Sequence, residues 1–265
     1  LHQDPSRGGR ARLLRFDLVA KTISPVRELE AVSTLALQGS HLYFAESTEE
    51  ATFLKRFDLE SGESIVIAGS ESAAPRREAP AATLDLAYPQ FVRSDETGNI
   101  YATDSRHRIR QVDREGLSRV VYETECGLLD FLSLTSDRLI VSEACPFEVA
   151  VPKTGFLLSV DLETGETEEL LRSAPSKPFP SHLAEGADGN YLYYSDWLIH
   201  RIRRIDLETG IVSNYAGSGS CTGRFDGADR LEAPICKPMG VELAGDLLLT
   251  ADQAAAVIRA VRMSP

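Results

Sequence analysis

Five acids recur in one local setting: Glu46, Asp104, Glu143, Asp196 and Asp252 each close a short apolar run such as Ile100-Tyr101-Ala102-Thr103-Asp104. A ring of carboxylates of this kind could hold a divalent cation through oxygen. Their regularity argues for a structural task instead, because stacking needs recur in every copy of a repeat whereas a catalytic site differs between copies. Each acid would then accept hydrogen bonds from backbone or from an arginine of the following strand. The histidines are His2, His41, His107, His182 and His200, and no two lie within four residues of each other. They carry no zinc motif.

The four cysteines form two couples, Cys126 with Cys145 and Cys221 with Cys236, without the close spacing of a zinc ribbon or redox motif. An even count flanking loop-like segments fits two disulfides in an oxidising compartment; the alternative is four reduced, buried thiols acting as small hydrophobes. Nucleophile elbow, phosphate-cradling glycine loop and dinucleotide fingerprint are all missing from the sequence. Sequence therefore names no catalytic residue, no metal ligand and no cofactor.

The elements that would carry these residues repeat. One segment reads Leu13-Leu14-Arg15-Phe16-Asp17, Leu54-Lys55-Arg56-Phe57-Asp58, Ile109-Arg110-Gln111-Val112-Asp113, Leu157-Leu158-Ser159-Val160-Asp161, Ile202-Arg203-Arg204-Ile205-Asp206 and, with the acid lost, Ile258-Arg259-Ala260-Val261-Arg262. Call it strand c. A turn follows four of these copies and ends in Gly62, Gly116, Gly165 or Gly210, where glycine supplies the positive φ of a tight hairpin. A β-prone strand d comes next, as in Ser64-Ile65-Val66-Ile67-Ala68. The acid-ended apolar run lies upstream as strand b, and before it a polar turn and strand a, for example Pro89-Gln90-Phe91-Val92-Arg93. Strand c copies lie 41 to 56 residues apart, the period of a propeller blade. The expected fold is an all-β propeller of four-stranded blades over residues 1–265. Six blades are favoured by the six copies of strand c, with five as the alternative, because strands a and b occur only five times. The chain starts mid-blade and reads as part of a longer protein or as a ring closed by its two ends.

At 265 residues, 43% hydrophobic and 26% charged, the composition is that of a globular chain able to bury a large core. No run approaches the roughly 20 apolar residues of a membrane-spanning helix, and the polar start has no signal-peptide h-region, so a soluble chain with any leader already removed is expected. A formal charge of −12 repels phosphate backbones and argues against nucleic acid as a partner.

The stretch from Tyr88-Pro89 through Gly98-Asn99-Ile100-Tyr101-Ala102-Thr103-Asp104 to Val112-Asp113 resembles an NHL repeat, and Ala216-Gly217-Ser218-Gly219 through Asp226-Gly227 to Met239-Gly240-Val241 resembles the junction between blades in bacterial-type NHL arrays. Leu192-Tyr193-Tyr194-Ser195-Asp196-Trp197 is similar to the YWTD repeats of lipoprotein-receptor propellers. The resemblance implies a rigid scaffold that binds another protein, outside the cell or in another oxidising compartment. It also leaves open a hydrolase, a lactonase or a lyase with a divalent metal in the channel, since related propellers include a lyase with metal-bound histidines from different blades.

Loop lengths point to where a partner would sit. In a propeller blade the a–b and c–d turns lie on one face, and here they are short and interchangeable. The d–a and b–c connections lie on the other and are long and distinct: Glu71 to Tyr88, Ser173 to Pro180, Cys221 to Pro238, and Cys145 to Ala150. Irregular loops on a rigid frame concentrate recognition, and aromatic and arginine side chains dominate interface energies. The candidate binding residues are Phe147, Trp197, Arg224 and Phe225, flanked by Arg76 and Arg77. The alternative has Trp197 packed between blades and Arg224 paired with Asp226.

Overall fold

The computed structural model describes residues 2–3, 11–29, 31–47, 51–69, 78–81, 86, 89–105, 107–135, 137–145, 154–173, 180–186, 189–223 and 229–263. They divide into two compact units, Leu1–Glu123 and Thr124–Pro265.

The first unit holds three antiparallel sheets. Strands β1 (His2–Gln3), β2 (Ala11–Asp17) and β3 (Thr22–Leu29) form one in that order. The second is β4 (Ala31–Gln38), β5 (His41–Ser47), β6 (Thr52–Asp58) and β7 (Ser64–Ala68), again in chain order. In the third, β9 (Val92–Ser94), β10 (Ile100–Asp104), β11 (Arg108–Val112) and β12 (Leu117–Glu123) follow one another, and β8 (Glu78–Pro80) adds to the outer edge of β12. That edge strand lies within a stretch expected to be a plain d–a connection. It is held through Ala81, whose N–H donates to the carbonyl of Gly116 at 2.8 Å and whose own carbonyl accepts from Gly69 N–H at 3.0 Å.

The second unit repeats the pattern. Its sheets are β13 (Gly127–Thr135), β14 (Arg138–Cys145), β15 (Thr154–Asp161) and β16 (Thr167–Arg172); β17 (Leu183–Glu185), β18 (Tyr191–Asp196), β19 (Arg201–Asp206) and β20 (Val212–Ala216); and β21 (Pro238–Ala244), β22 (Leu247–Asp252) and β23 (Val257–Arg262). Among the described residues five sheets begin with strand a and run outward in chain order, the count that the sequence left as its alternative to six. The sixth copy of strand c, in β2, brings no strands a and b with it: its second neighbour is the two-residue β1.

The repeated aspartate explains why so many hairpins share one shape. In the turns after β2, β6, β15 and β19, the Oδ1 of Asp17, Asp58, Asp161 or Asp206 accepts two backbone N–H groups, two and three residues on, at 2.7–3.1 Å. Such self-bonding is what makes aspartate a turn residue. Gly62, Gly165 and Gly210 then take φ of 76°, 74° and 69°, while Lys21 fills the corresponding place after Asp17 at 54°. Backbone N–H donation holds all four carboxyls below their ordinary pKa. Their contribution to stability is therefore present at neutral pH and is lost as pH falls through those lowered values.

Strand b is covered on both faces, which is why it reads as a continuous apolar run. In β5, Leu42 and Phe44 pack with Leu13, Leu29, Val32 and Phe57, while Tyr43 and Ala45 pack with Leu54, Val92 and Ala102. In β18, Leu192 and Tyr194 join Ile140, Leu157 and Leu183, and Tyr193 faces Ile202, Val241 and Leu248. The terminal acids are all buried. Three meet a base two residues beyond their cross-strand partner on strand c: Glu46 with Lys55, Asp104 with Arg110, and Asp252 with Arg259 at 2.7 Å. These pairings support the structural reading of the repeated acids in those blades.

The β9–β10 turn is closed by a different device. Asp95 accepts from Thr97 N–H, Thr97 Oγ1, Asn99 N–H, Asn99 Nδ2 and Tyr101 OH, at 2.7–3.0 Å. Burial pushes its pKa up, but the hydrogen bonds outweigh burial and leave it lowered. Replacing Asp95 with alanine strands these donors, so the urea midpoint should fall by the equivalent of about 1–3 kcal/mol. Asp95→Asn, which keeps an acceptor, should recover part of the loss; equal losses would show that the carboxylate's bonds contribute little.

Candidate functional site

Both disulfides expected from the cysteine spacing are present, Cys126–Cys145 and Cys221–Cys236. Cys126 immediately precedes β13 and Cys145 ends β14, where Gly127 pairs with Ala144. Cys236 lies just before β21, whose first residue, Pro238, pairs with Asp252 at the end of β22. Within the second unit each disulfide thus braces the sheet end from which a b–c connection leaves.

At the corresponding end of β18, Trp197-Leu198-Ile199-His200 turns the chain into β19. Trp197 is 37% exposed and Leu198 38% exposed, so Trp197 is not packed away between blades. The turn is held from beneath. His200 sits at φ 58°, a left-handed conformation uncommon outside glycine, and its Nδ1 accepts the Lys237 N–H at 3.1 Å. Arg201 donates from its two terminal nitrogens to the carbonyls of Gly217 (3.0 Å) and Ser218 (2.8 Å). Gly217 has no alternative: a Cβ there would stand 2.6 Å from the carbonyl oxygen of His200.

The connection from β20 to β21 is itself well bonded. Gly217 N–H donates to the Arg230 carbonyl at 2.8 Å and Ser218 N–H to the Ala233 carbonyl at 2.9 Å. Arg230 stacks its guanidinium 4.9 Å from the Tyr215 ring centroid and donates Nε to the Tyr215 carbonyl. Near the far end, Cys236 N–H donates to Asp252 Oδ2 at 3.2 Å. The pKa of Asp252 is pushed up by burial but ends lowered, because Arg259 and the N–H groups of Ala255 and Cys236 favour the anion. The result is a firm platform with an apolar tip, Trp197-Leu198, beside a disulfide-tied connection.

Of the sequence-derived binding candidates, Trp197 lies on this platform. Phe147, Arg224, Phe225, Arg76 and Arg77 lie outside the described residues. Sequence reasoning did not single out Leu198, Arg201 or Lys237 as part of this turn, and it found in His200 no part of a zinc motif. Among the described residues one group of three histidine, cysteine or acidic side chains brings its ligand atoms within 4.8 Å of one another, His200 with Cys221 and Cys236.

No protein-family model matches the chain, and no curated protein matches it in sequence. Solved structures do match in shape. A chain in the crystal structure of a nidogen/laminin complex aligns over 97% of this chain and 87% of its own length, at 16% identity and a TM-score of 0.67. An auxiliary nutrient binding protein from Bacteroides thetaiotaomicron VPI-5482 covers 98% of this chain with 67% of its own, at 14% identity and a TM-score of 0.65. An oligogalacturonate lyase in complex with manganese covers 97% with 72% of its own, at 17% identity and a TM-score of 0.58. At such identities the likeness is one of fold: with the repeated sheets, it makes this chain an all-β propeller of four-stranded blades.

Proposed function

We propose that the chain is a non-catalytic, protein-binding propeller of NHL-like repeats with one YWTD-like blade, recognising its partner through the end where the b–c and d–a connections run. The observation that carries this reading is the exposed Trp197-Leu198 tip on a turn braced by Arg201, Gly217 and Lys237. A rigid aromatic anchor costs little ordering entropy on binding and supplies a large contact area, the usual make-up of an interface hot spot. The opposite end offers near-identical aspartate hairpins, which carry little information for a partner to read. Phe147, Arg224 and Phe225, with Arg76 and Arg77 as a charged flank, are proposed as further binding residues from their loop positions in the sequence. Two disulfides fit an oxidising compartment, and we place the chain outside the cell. A neighbour in fold taken from a nidogen/laminin complex is consistent with binding, while the manganese-bound lyase shows that such propellers also host chemistry.

The test starts from a partner captured at fixed stoichiometry. Trp197→Ala should then weaken binding at least about tenfold, with smaller losses for Phe147→Ala and Phe225→Ala and none for the exposed Asp137→Ala in an a–b turn. Unchanged affinity at the three aromatics together with loss at Asp137 would place the surface at the wrong end. A stoichiometric metal in purified protein whose removal abolishes a hydrolase or lyase activity would favour the enzymatic alternative.

A further inference from the structure

The Cys221–Cys236 disulfide has a histidine beside it. The imidazole of His200 and the two sulfurs lie within 4.8 Å of one another. The ring reaches this place because its residue adopts a left-handed backbone and because the Lys237 N–H donates to Nδ1. Tetrahedral zinc, with bonds of about 2.3 Å to sulfur and 2.0–2.1 Å to nitrogen, separates its ligand atoms by about 3.5–3.8 Å. The bridged sulfurs would have to part to reach that separation, and no ligand atom of the trio starts more than 4.8 Å from another.

We propose that His200, Cys221 and Cys236 form a latent site for a thiophilic divalent cation of the zinc class, opened by reduction of the disulfide. Cys221 is exposed and Cys236 buried, so a dithiol reductant attacks the Cys221 sulfur and the Cys236 sulfur leaves as thiolate. The second thiol of the reductant resolves the mixed disulfide. The products are two cysteine thiols and the oxidised, cyclic reductant. The cation then displaces the two thiol protons to solvent and takes the imidazole nitrogen as its third ligand, with water in the fourth position. Ligation through Nδ1 exchanges the Lys237 hydrogen bond for a bond to the cation. Cys221 is exposed in an irregular connection, whereas Cys236 is buried and held through its N–H to Asp252. The chain's formal charge of −12 favours the approach of any cation.

Cobalt(II) is the probe, titrated into the whole chain before and after reduction with a phosphine that does not itself chelate strongly. One equivalent should bind to the reduced chain alone, with thiolate-to-cobalt charge transfer and the visible absorption of a tetrahedral site. His200→Asn is the discriminating variant, since asparagine tolerates the left-handed backbone and can still accept the Lys237 N–H. It should weaken binding at least about tenfold. Zinc should also raise the urea midpoint of the reduced chain, and raise that of reduced His200→Asn less. The proposal is overturned by equal cobalt affinity in His200→Asn, by equal binding without reduction, or by no thiolate band at all. It also fails if the band survives Cys221→Ser/Cys236→Ser, or if zinc does not raise the reduced midpoint, which would mark binding to an unfolded chain.

Discussion

Exchanging Arg110 for methionine is expected to lower the free energy of unfolding by about 3–5 kcal/mol, the usual cost of leaving one partner of a buried ion pair behind. Arg110 and Asp104 are both fully buried, and their Nε–Oδ2 distance is 2.5 Å. Arg108, 3.4 Å from the same carboxylate and 23% exposed, is too hydrated to replace it. The double variant Asp104→Leu/Arg110→Met should recover much of the loss, because the desolvated anion disappears along with its partner. Arg262 provides the contrast: its pair with Asp246 spans 3.9 Å with both side chains largely exposed, and Arg262→Met should leave the midpoint unchanged. Urea unfolding with an unaltered slope reads all three. Equal shifts for Arg110→Met and Arg262→Met would mean that the buried pair is no more than ornamental.

Removing either disulfide by paired serine substitution should cost about 3 kcal/mol in the chain-entropy account, since the bridges close separations of 19 and 15 residues. Intact-mass measurement after alkylation of the unreduced protein should find no modified cysteine. Four alkylated thiols would remove the oxidising-compartment argument. A loss near zero in one paired variant would show that the unbridged chain already holds those connections together by hydrogen bonds, such as Ser218 to Ala233.

Most of the fold was legible because its signals are local. The aspartate of strand c, its two N–H donors and the turn glycine fall within five residues, so the hairpin is written in one short string. Strand a was harder to bound: around Pro89–Arg93 the ladder covers only Val92–Ser94, since Gln90 and Phe91 spend their N–H groups on the Thr103 hydroxyl. The edge strand β8 was invisible, being three residues without alternation whose partners on β12 lie far along the chain. Blade number stayed open between six and five because six copies of strand c stood against five of strands a and b, and among the described residues five sheets begin with strand a. At the candidate site the tryptophan announced itself by type. The approach of His200 to a cysteine pair did not, because it depends on a connection that returns to the turn only after β20.

The aspartate hairpins bear on how the chain begins to fold. Each closes with groups of its own turn, so β6–β7, β15–β16 and β19–β20 need no other blade to start, and hairpins of this kind form in about 1–10 µs. The link from Lys237 to His200 is of another order, since it joins residues 37 positions apart in the chain. Strand c and strand d should accordingly be paired early, as several independent nuclei, while the Trp197 platform is assembled late. A chain emerging slowly from a ribosome would gain its repeated, featureless turns first and its distinctive surface last.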